Sequence, residues 1–478
     1  MKIDELLEGV EVTKRTDTVD EITGIADDSR KVRKGYLFAA QRGEVFDGHD
    51  FYKEAIDNGA SVVLIEKEIS EDIPYILVPN TRKAFSRIAS NYYENPSGKL
   101  RVIGVTGTNG KTTTSYLLSS LFPNSVCFST VEYMGVGSNI KVINTTPSPI
   151  LLHREIAGAY KRGLDTAILE VSSIGLDQYR VSDVDFDYAV FTNISRDHLD
   201  YHKNFENYRK AKAKFFEGLG EDKIAVINAD DPEAPYFIAC ANSKVVTFGF
   251  KRGNVIGYLL QNSGKGLNLK IEGLGRSLEV ISPLVGSFNA WNVLTAVVVG
   301  ILENLKDSEI KERVATSILP PGRLEKVESP EGISVFVDYA HTPDALYSVI
   351  SSLKEYNPAR IITVFGAGGH RDRGKRGLMG AVVSALSDII IVTSDNPRDE
   401  EPDDIIDDIF EGISKKEAMR LKDRKKAIFK ALSLAEEGDF VLIAGKGHED
   451  YQEIKGKRIP FSDKKCVKDF YNYERNRA

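Results

Sequence analysis

Residues 105–114 read VTGTNGKTTT. Glycines, a lysine and a run of hydroxyls in that order are the parts of a phosphate cradle. Gly107 and Gly110 let the backbone turn N–H groups toward phosphate oxygens, Thr108 and Asn109 complete the bend, Lys111 adds a positive charge, and Thr112, followed by Thr113, offers a hydroxyl to Mg2+. The common nucleotide loop, G-x-x-x-x-G-K-[ST], has glycine five positions before its second glycine, where this chain has Val105. Other side chains that could do chemistry lie downstream. Glu170 ends the apolar run TAILEV and is, taken alone, an exposed carboxylate at a strand end; His198 in DHLDYH is either a ligand or a structural histidine. The lysines of YRKAKAKFF, residues 208–216, read as a solvated basic helix face. Arg180 could clamp a carboxylate or close a surface salt bridge, and SDNPR, residues 394–398, is by itself a turn after a strand.

Short strand-like runs alternate with helical patterns and must position these residues. RVIGV leads into the glycine loop and the helical pattern TTTSYLLSSLF follows it, the context a phosphate loop demands and a bland Gly/Asn turn does not. Before it, GYLFAA, SVVLIE and YILVP alternate with helix-like stretches in a small α/β unit, and NPSGKL supplies a linker. Glycine-punctuated segments between about 244 and 285 predict antiparallel hairpins, closed by the helical FNAWNVLTAVVVGILENL. After PPGRLEKV, residues 320–327, the chain alternates again through ISVFVDYA, RIITVFGAGG, DIIIVTSD and DFVLIAG, a parallel-sheet unit whose loops follow strand C-termini. A length of 478 residues implies several domains. We therefore expect an α/β fold of three domains: residues 1–97, 98–319 carrying the phosphate loop, and a Rossmann-like 320–478.

Composition excludes several classes. Hydrophobic residues at 42% and charged residues at 28% argue against disorder, and a net charge of −7 gives no general attraction to nucleic acid or anionic membranes. Three distant cysteines fit a reducing compartment, and neither a signal-like N-terminus nor an 18-residue apolar run is seen, so a cytoplasmic location without a membrane span is expected.

The loop G-T-x-G-K-T-T resembles that of the Mur ligases and their folate-adding relatives, ATP-dependent enzymes that join an amino group to a carboxylate. The likeness continues in order through EVSSIGLDQYR (170–180), TNISRDHLDYH (192–202), YRKAKAKFF, GSFNAWN (286–292), PPGRLEKV, DYAHTPDAL (338–346), GAGGHRDRGKRGLMG (366–380), SDNPRDEEP (394–402) and GKGHEDYQ (445–452). It implies a three-domain Mur ligase fold and phosphorylation by ATP of the D-Glu side-chain carboxylate in UDP-MurNAc-L-Ala-D-Glu, followed by attack of an amine on the acyl phosphate. It implies Mg2+, at two sites, on Thr112, Glu170, His198 and Lys212, the last as a CO2-derived carbamate. Asn289, Arg323 and Asp338 match nucleotide contacts beside the loop, with His341 near them. Ser29, Asn144, Thr145, Thr146, Ser172, Gln178 and Arg180 match the UDP-substrate positions. Arg371, Asp395, Asn396, Pro397, Arg398, Gly445 and Glu449 match the pocket for the incoming amino acid.

Within the family, third-residue ligases take meso-diaminopimelate or lysine. Diaminopimelate carries a far carboxylate that calls for a guanidinium and amide donors, and Asp395-Asn396-Pro397-Arg398 is the sequence associated with it. The chain departs from the family at Ile174, where histidine is usual, at His370, where an acid is usual, and loosely over 122–140. A lysine-adding or archaeal cell-wall ligase and, more distantly, a folate polyglutamate synthetase are the competing enzymes, and an ATP-binding regulatory module is the competing non-enzyme. A monomer is expected.

Overall fold

The computed structural model describes all residues except 17, 44, 45, 71, 138, 139, 141, 143, 415–417 and 476–478. Three sheets follow one another along the chain. The first has the order Lys14–Arg15, Tyr75–Leu77, Ala60–Ile65, Tyr36–Ala39, Gly24–Ala26. The second has ten strands and the third six, with a separate hairpin formed by Tyr451–Ile454 and Lys457–Pro460.

At the centre of the ten-stranded sheet, Arg101–Thr106 lies between Tyr188–Phe191 and Thr166–Glu170, parallel to both. Strand order reverses around such a strand, leaving a crevice beyond the strand C-termini where α/β sheets bind ligands. The phosphate loop, Glu170 and the 192–198 segment all leave the sheet there. Behind it, Asn289–Leu302 packs against Lys111–Leu121. Twelve of its fourteen residues are buried, so a nearly uniform apolar sequence forms a helix covered on most sides.

One expectation needs correction. Lys244–Gly249 pairs parallel with Ile224–Asn228 and, over two residues, with Val255–Ser263, so the antiparallel meander begins only at Val255. Gly253, at φ +146°, redirects the chain there: a Cβ on it would lie 2.8 Å from Phe248 Cα. In the third sheet, Ser334–Asp338, Phe440–Ala444, Ile361–Phe365 and Ile389–Val392 run parallel, as their alternation with helices predicts, and Glu325–Val327 joins antiparallel at one edge. Among the described residues no helix is long and apolar enough to cross a membrane.

Helix Thr81–Tyr92 of the first unit packs on helix Pro149–Lys161 of the second. On the latter, His153 is fully buried with neither ring nitrogen hydrogen-bonded. Burial, helped by the Arg87 charge, pushes its pKa down from 6.5 to about 3. The unfolded chain therefore takes up this proton first as pH falls, and folded stability is lost from about pH 6.5 downward, by about 2 kcal/mol between pH 7 and 5. Thermal unfolding of His153→Leu is expected to show an acid slope shallower by that amount; equal slopes would remove His153 as the cause.

Candidate active site

The phosphate loop is clamped by the segment after the neighbouring strand. Asn109 N donates to Asn193 Oδ1 (2.9 Å), Thr108 N donates to Asn193 O (2.9 Å), and Thr192 Oγ1 donates to Asn109 O (2.7 Å). Gly107 and Gly110 have φ of +151° and +87°; a Cβ would come within 1.9 Å of Thr192 Oγ1 at the first and 2.4 Å of Asn292 Oδ1 at the second. Only glycine fits either place. Lys111 Nζ folds back to the carbonyls of Gly107 (2.8 Å) and Thr108 (2.9 Å), and burial lowers its pKa. The first turn of Lys111–Leu121 points its free N–H groups into a cavity of about 600 Å³.

Around this cavity stand the other groups. Glu170 is fully buried, its carboxylate receiving Thr130 N and Thr130 Oγ1, each at 2.9 Å. Helix Phe205–Glu217 separates its lysines: Lys210 and Lys214 lie on the outside in ion pairs with Glu206 and Asp177, whereas Lys212 is 1% exposed and donates to Gly107 O at 2.9 Å. Burial, reinforced by the Lys111 charge, holds the Lys212 amine well below its usual pKa. The basic face thus includes one lysine that is not solvated at all.

His198 sits at φ +54° facing the cavity, its pKa lowered by burial despite Asp197 beside it. Asp197 itself was not anticipated from sequence. Its carboxylate lies 3.4 Å from His198 Nε2, 3.6 Å from Lys375 Nζ and 4.0 Å from His341 Nε2, the last two from the third unit. Burial alone would raise its pKa, but His198, Lys375 and His341 together hold it below the usual carboxylate range. Adjacency to His198 was the only sequence signal for it.

The residues matched to the UDP substrate form one network, with Ser29 apart. Thr146 Oγ1 donates to Glu170 O (2.9 Å), Ser172 N donates to Thr146 Oγ1 (2.9 Å), and Arg180 donates to Thr146 O (2.8 Å) and Gln178 Oε1 (2.7 Å). Thr145 Oγ1 is 3.1 Å from Thr130 Oγ1, and the Asn144 carbonyl accepts from Tyr133 OH at 3.0 Å. Ser29 lies in the first unit, its hydroxyl donating to Glu54 at 2.8 Å, and does not line the cavity. Ile174 is half-buried; beside it Ser173 Oγ lies 3.0 Å from His202 Nε2.

Across the cleft, Arg323 Nη2 donates to Thr112 Oγ1 (3.0 Å), and its guanidinium lies 4.6 Å from the Tyr339 ring centroid. Asp338 accepts Leu324 N and Ala340 N, both at 2.6 Å, so its carboxylate ties the segment before the third sheet to the strand end; burial raises its pKa. Asn289 does not line the cavity. Its Oδ1 accepts Asn292 Nδ2 (2.9 Å), and Asn292, three residues on and on the same helix face, does line it.

The third sheet's loops assemble the remaining set. Asp395 and Asn396 are buried, and Gly445, at φ +114°, has no room for a Cβ because Asp395 Oδ2 would be 2.5 Å away. Asn396 Nδ2 donates to Glu449 Oε2 at 2.8 Å. Arg398 follows Pro397 at φ +53°, donates to Gly369 O and lies 3.4 Å from Glu453. Arg371 instead reaches Asp200 of the second unit (3.5 Å), and Arg196 grips Asp372 with two hydrogen bonds, so this loop bridges the cleft. His370 is largely exposed beside Asp399 and Glu400. Gly322 presses on the loop that ends in Glu449: a Cβ would be 2.1 Å from His448 N.

Models of the Mur ligase middle domain, the Mur ligase glutamate ligase domain and the Mur ligase family catalytic domain match residues 105–300, 322–447 and 21–93. The UDP-N-acetylmuramoyl-L-alanyl-D-glutamate–2,6-diaminopimelate ligase of Aquifex aeolicus is 42% identical, covering 94% of this chain and 93% of its own. The chain belongs to the Mur ligase family. The enzyme of the same name from Caldanaerobacter subterraneus subsp. tengcongensis is 40% identical over 98% of both chains. A solved structure of a UDP-N-acetylmuramoyl-L-alanyl-D-glutamate–2,6-diaminopimelate ligase superposes with a TM-score of 0.69 at 33% identity over 99% of each chain. A folylpolyglutamate synthase of Mycobacterium tuberculosis has the same Mur ligase fold at 19% identity, covering 75% of this chain and 91% of its own, with a TM-score of 0.63.

Proposed function

We propose that the protein is an ATP-dependent ligase that adds meso-diaminopimelate to the D-Glu side-chain carboxylate of UDP-MurNAc-L-Ala-D-Glu, releasing ADP and phosphate, in peptidoglycan precursor synthesis. The observation that carries this reading is the cleft: the phosphate loop, Glu170 and Lys212 stand on one wall, and Arg323 bridges from the other to Thr112. The aromatic end of the cavity, with Phe288, Trp291 and Tyr347, suits a base; the loop suits the phosphates.

The carboxylate oxygens of the substrate and the γ-phosphate are both negative, so their approach needs fixed cations and N–H donors. Lys111, the helix N-terminus and Arg323 supply them. The donors Thr112, Glu170 and His198 fit Mg2+, and among the described residues no cluster of three or more His, Cys, Asp or Glu is close enough to cage a metal alone. That suits a hard cation that keeps phosphate and water ligands. Held by these residues, Mg2+ would offset the negative charge of the phosphates. Burial lowers the pKa of Lys212, which favours the neutral amine that could add to CO2 with loss of one proton to solvent; the carbamate so formed would supply negative charge for a second Mg2+. Thr145, Thr146, Ser172, Gln178 and Arg180 orient the sugar-peptide, with Ser29 at the UDP end. Asp395, Asn396, Arg398, Gly445 and Glu449 receive the far end of diaminopimelate, Arg398 pairing with its carboxylate. We place the reaction in the cytoplasm and expect a monomer.

The test is ADP formation with UDP-MurNAc-L-Ala-D-Glu and Mg2+, comparing meso-diaminopimelate, L-lysine and no amino acid, with product mass read in parallel. Turnover selective for diaminopimelate is expected. Preference for lysine would keep the reaction and overturn the amino-acid assignment, and turnover with neither would overturn both.

A further inference from the structure

Lys446 is completely buried, yet no role follows for it from the chemistry above. Its Nζ lies 3.0 Å from Asn396 Oδ1 and 2.8 Å from Glu449 Oε2, with the Tyr451 ring centroid 5.4 Å away. An ammonium has three donors and no acceptor, so the Asn396 atom facing it must be the carbonyl oxygen. Glu453 N donates to the same oxygen at 2.9 Å, which uses its second lone pair. The amide nitrogen is thereby turned the other way: one N–H goes to Glu449 Oε2, and the other has no acceptor among the described residues. Glu449 Oε2 takes both Lys446 and Asn396, and Oε1 has no hydrogen-bond donor among the described residues.

The pair consequently offers one N–H donor and one carboxylate oxygen side by side. A carbon bearing both a carboxylate and an ammonium complements that pattern, and the far end of diaminopimelate is such a carbon, whereas lysine ends in an ammonium alone. Were the amide reversed, it would show its oxygen to the pocket, repelling a carboxylate and welcoming an ammonium.

We propose that Lys446 is a positioning residue for amino-acid specificity: by holding Asn396 Oδ1 and Glu449 Oε2 it fixes the direction of the Asn396 amide and so makes the pocket select a ligand end carrying a carboxylate as well as an ammonium. This rests on the ligase reading given above.

The experiment measures kcat and KM for meso-diaminopimelate and L-lysine with wild type, Lys446→Met and Lys446→Gln, together with KM for ATP and the thermal midpoint. Methionine keeps the length and removes every donor. Its ratio of kcat/KM for diaminopimelate over lysine is expected to fall about tenfold or more, chiefly through KM for diaminopimelate, with KM for ATP within about twofold. Glutamine keeps a weaker neutral donor, and a fall of about threefold is expected. Either variant, folded by its thermal midpoint and with a ratio equal to wild type, overturns the proposal. A parallel rise in every KM overturns it too, because a loosened domain and not amide direction would then be the cause. Wild type that forms no ADP with either amino acid would instead overturn the ligase reading itself.

Discussion

Lys212→Ala is expected to lower amino-acid-dependent ADP release by about 10²–10³-fold, with millimolar formate or acetate restoring a measurable part. The side chain is buried against the Gly107 carbonyl and over the Tyr208 ring, 4.9 Å from its centroid, and among the described residues it forms no ion pair with a carboxylate. A cation there would face Lys111 and oppose any metal; a carbamate would reverse that sign. Truncation leaves a space into which a small carboxylate fits and can replace the lost negative charge. Lys210→Ala and Lys214→Ala, on the exposed side of the same helix, should stay within about twofold, since exposed pairs contribute little. Full activity of the Lys212 variant without any added acid would refute the carbamate.

For Lys111→Ala, turnover is expected to fall about 10³-fold or more while the thermal midpoint moves little. The loop does not need this side chain to hold its shape, because Asn193 and Thr192 already bind its backbone and Asn292 fills the space behind Gly110. What is lost is the only ammonium on the loop itself, already anchored 2.8 Å from the Gly107 carbonyl and able to turn to a phosphate without moving the backbone. Single-turnover ADP release with a saturating substrate separates this from weakened binding. Near-normal ligation would remove the loop from the mechanism.

The loop, Glu170 and the strands around them were legible because their signals are contiguous: a strand, a bend that only glycine allows, and a helix. The three-domain α/β fold was legible for the same reason, as alternation repeats on either side of two linkers. Lys212 could be chosen over Lys210 and Lys214 only by resemblance, since three lysines at spacing two cannot reveal which one a helix will turn inward. Asp197 was invisible because its meaning comes from Lys375 and His341, more than 140 residues away. Asn289 does not line the cavity and Asn292, one turn on, does; spacing alone does not say which of two asparagines on one face protrudes. Lys244–Gly249 misled because a strand followed closely by another reads as a hairpin, and pairing direction is fixed by where the sheet already lies. The hairpin Tyr451–Ile454 with Lys457–Pro460 carries intermediate and exposed residues throughout, so it lacks the apolar alternation that announces a strand.

The contact between Gly322 and the backbone of Gly447 and His448 limits what position 322 can carry. No methyl group fits between them, so an alanine at 322 would force this segment and the loop that ends in Glu449 apart. Arg323 follows directly, so an alanine at 322 is expected to disturb the Arg323 bond to Thr112 Oγ1 together with the loop.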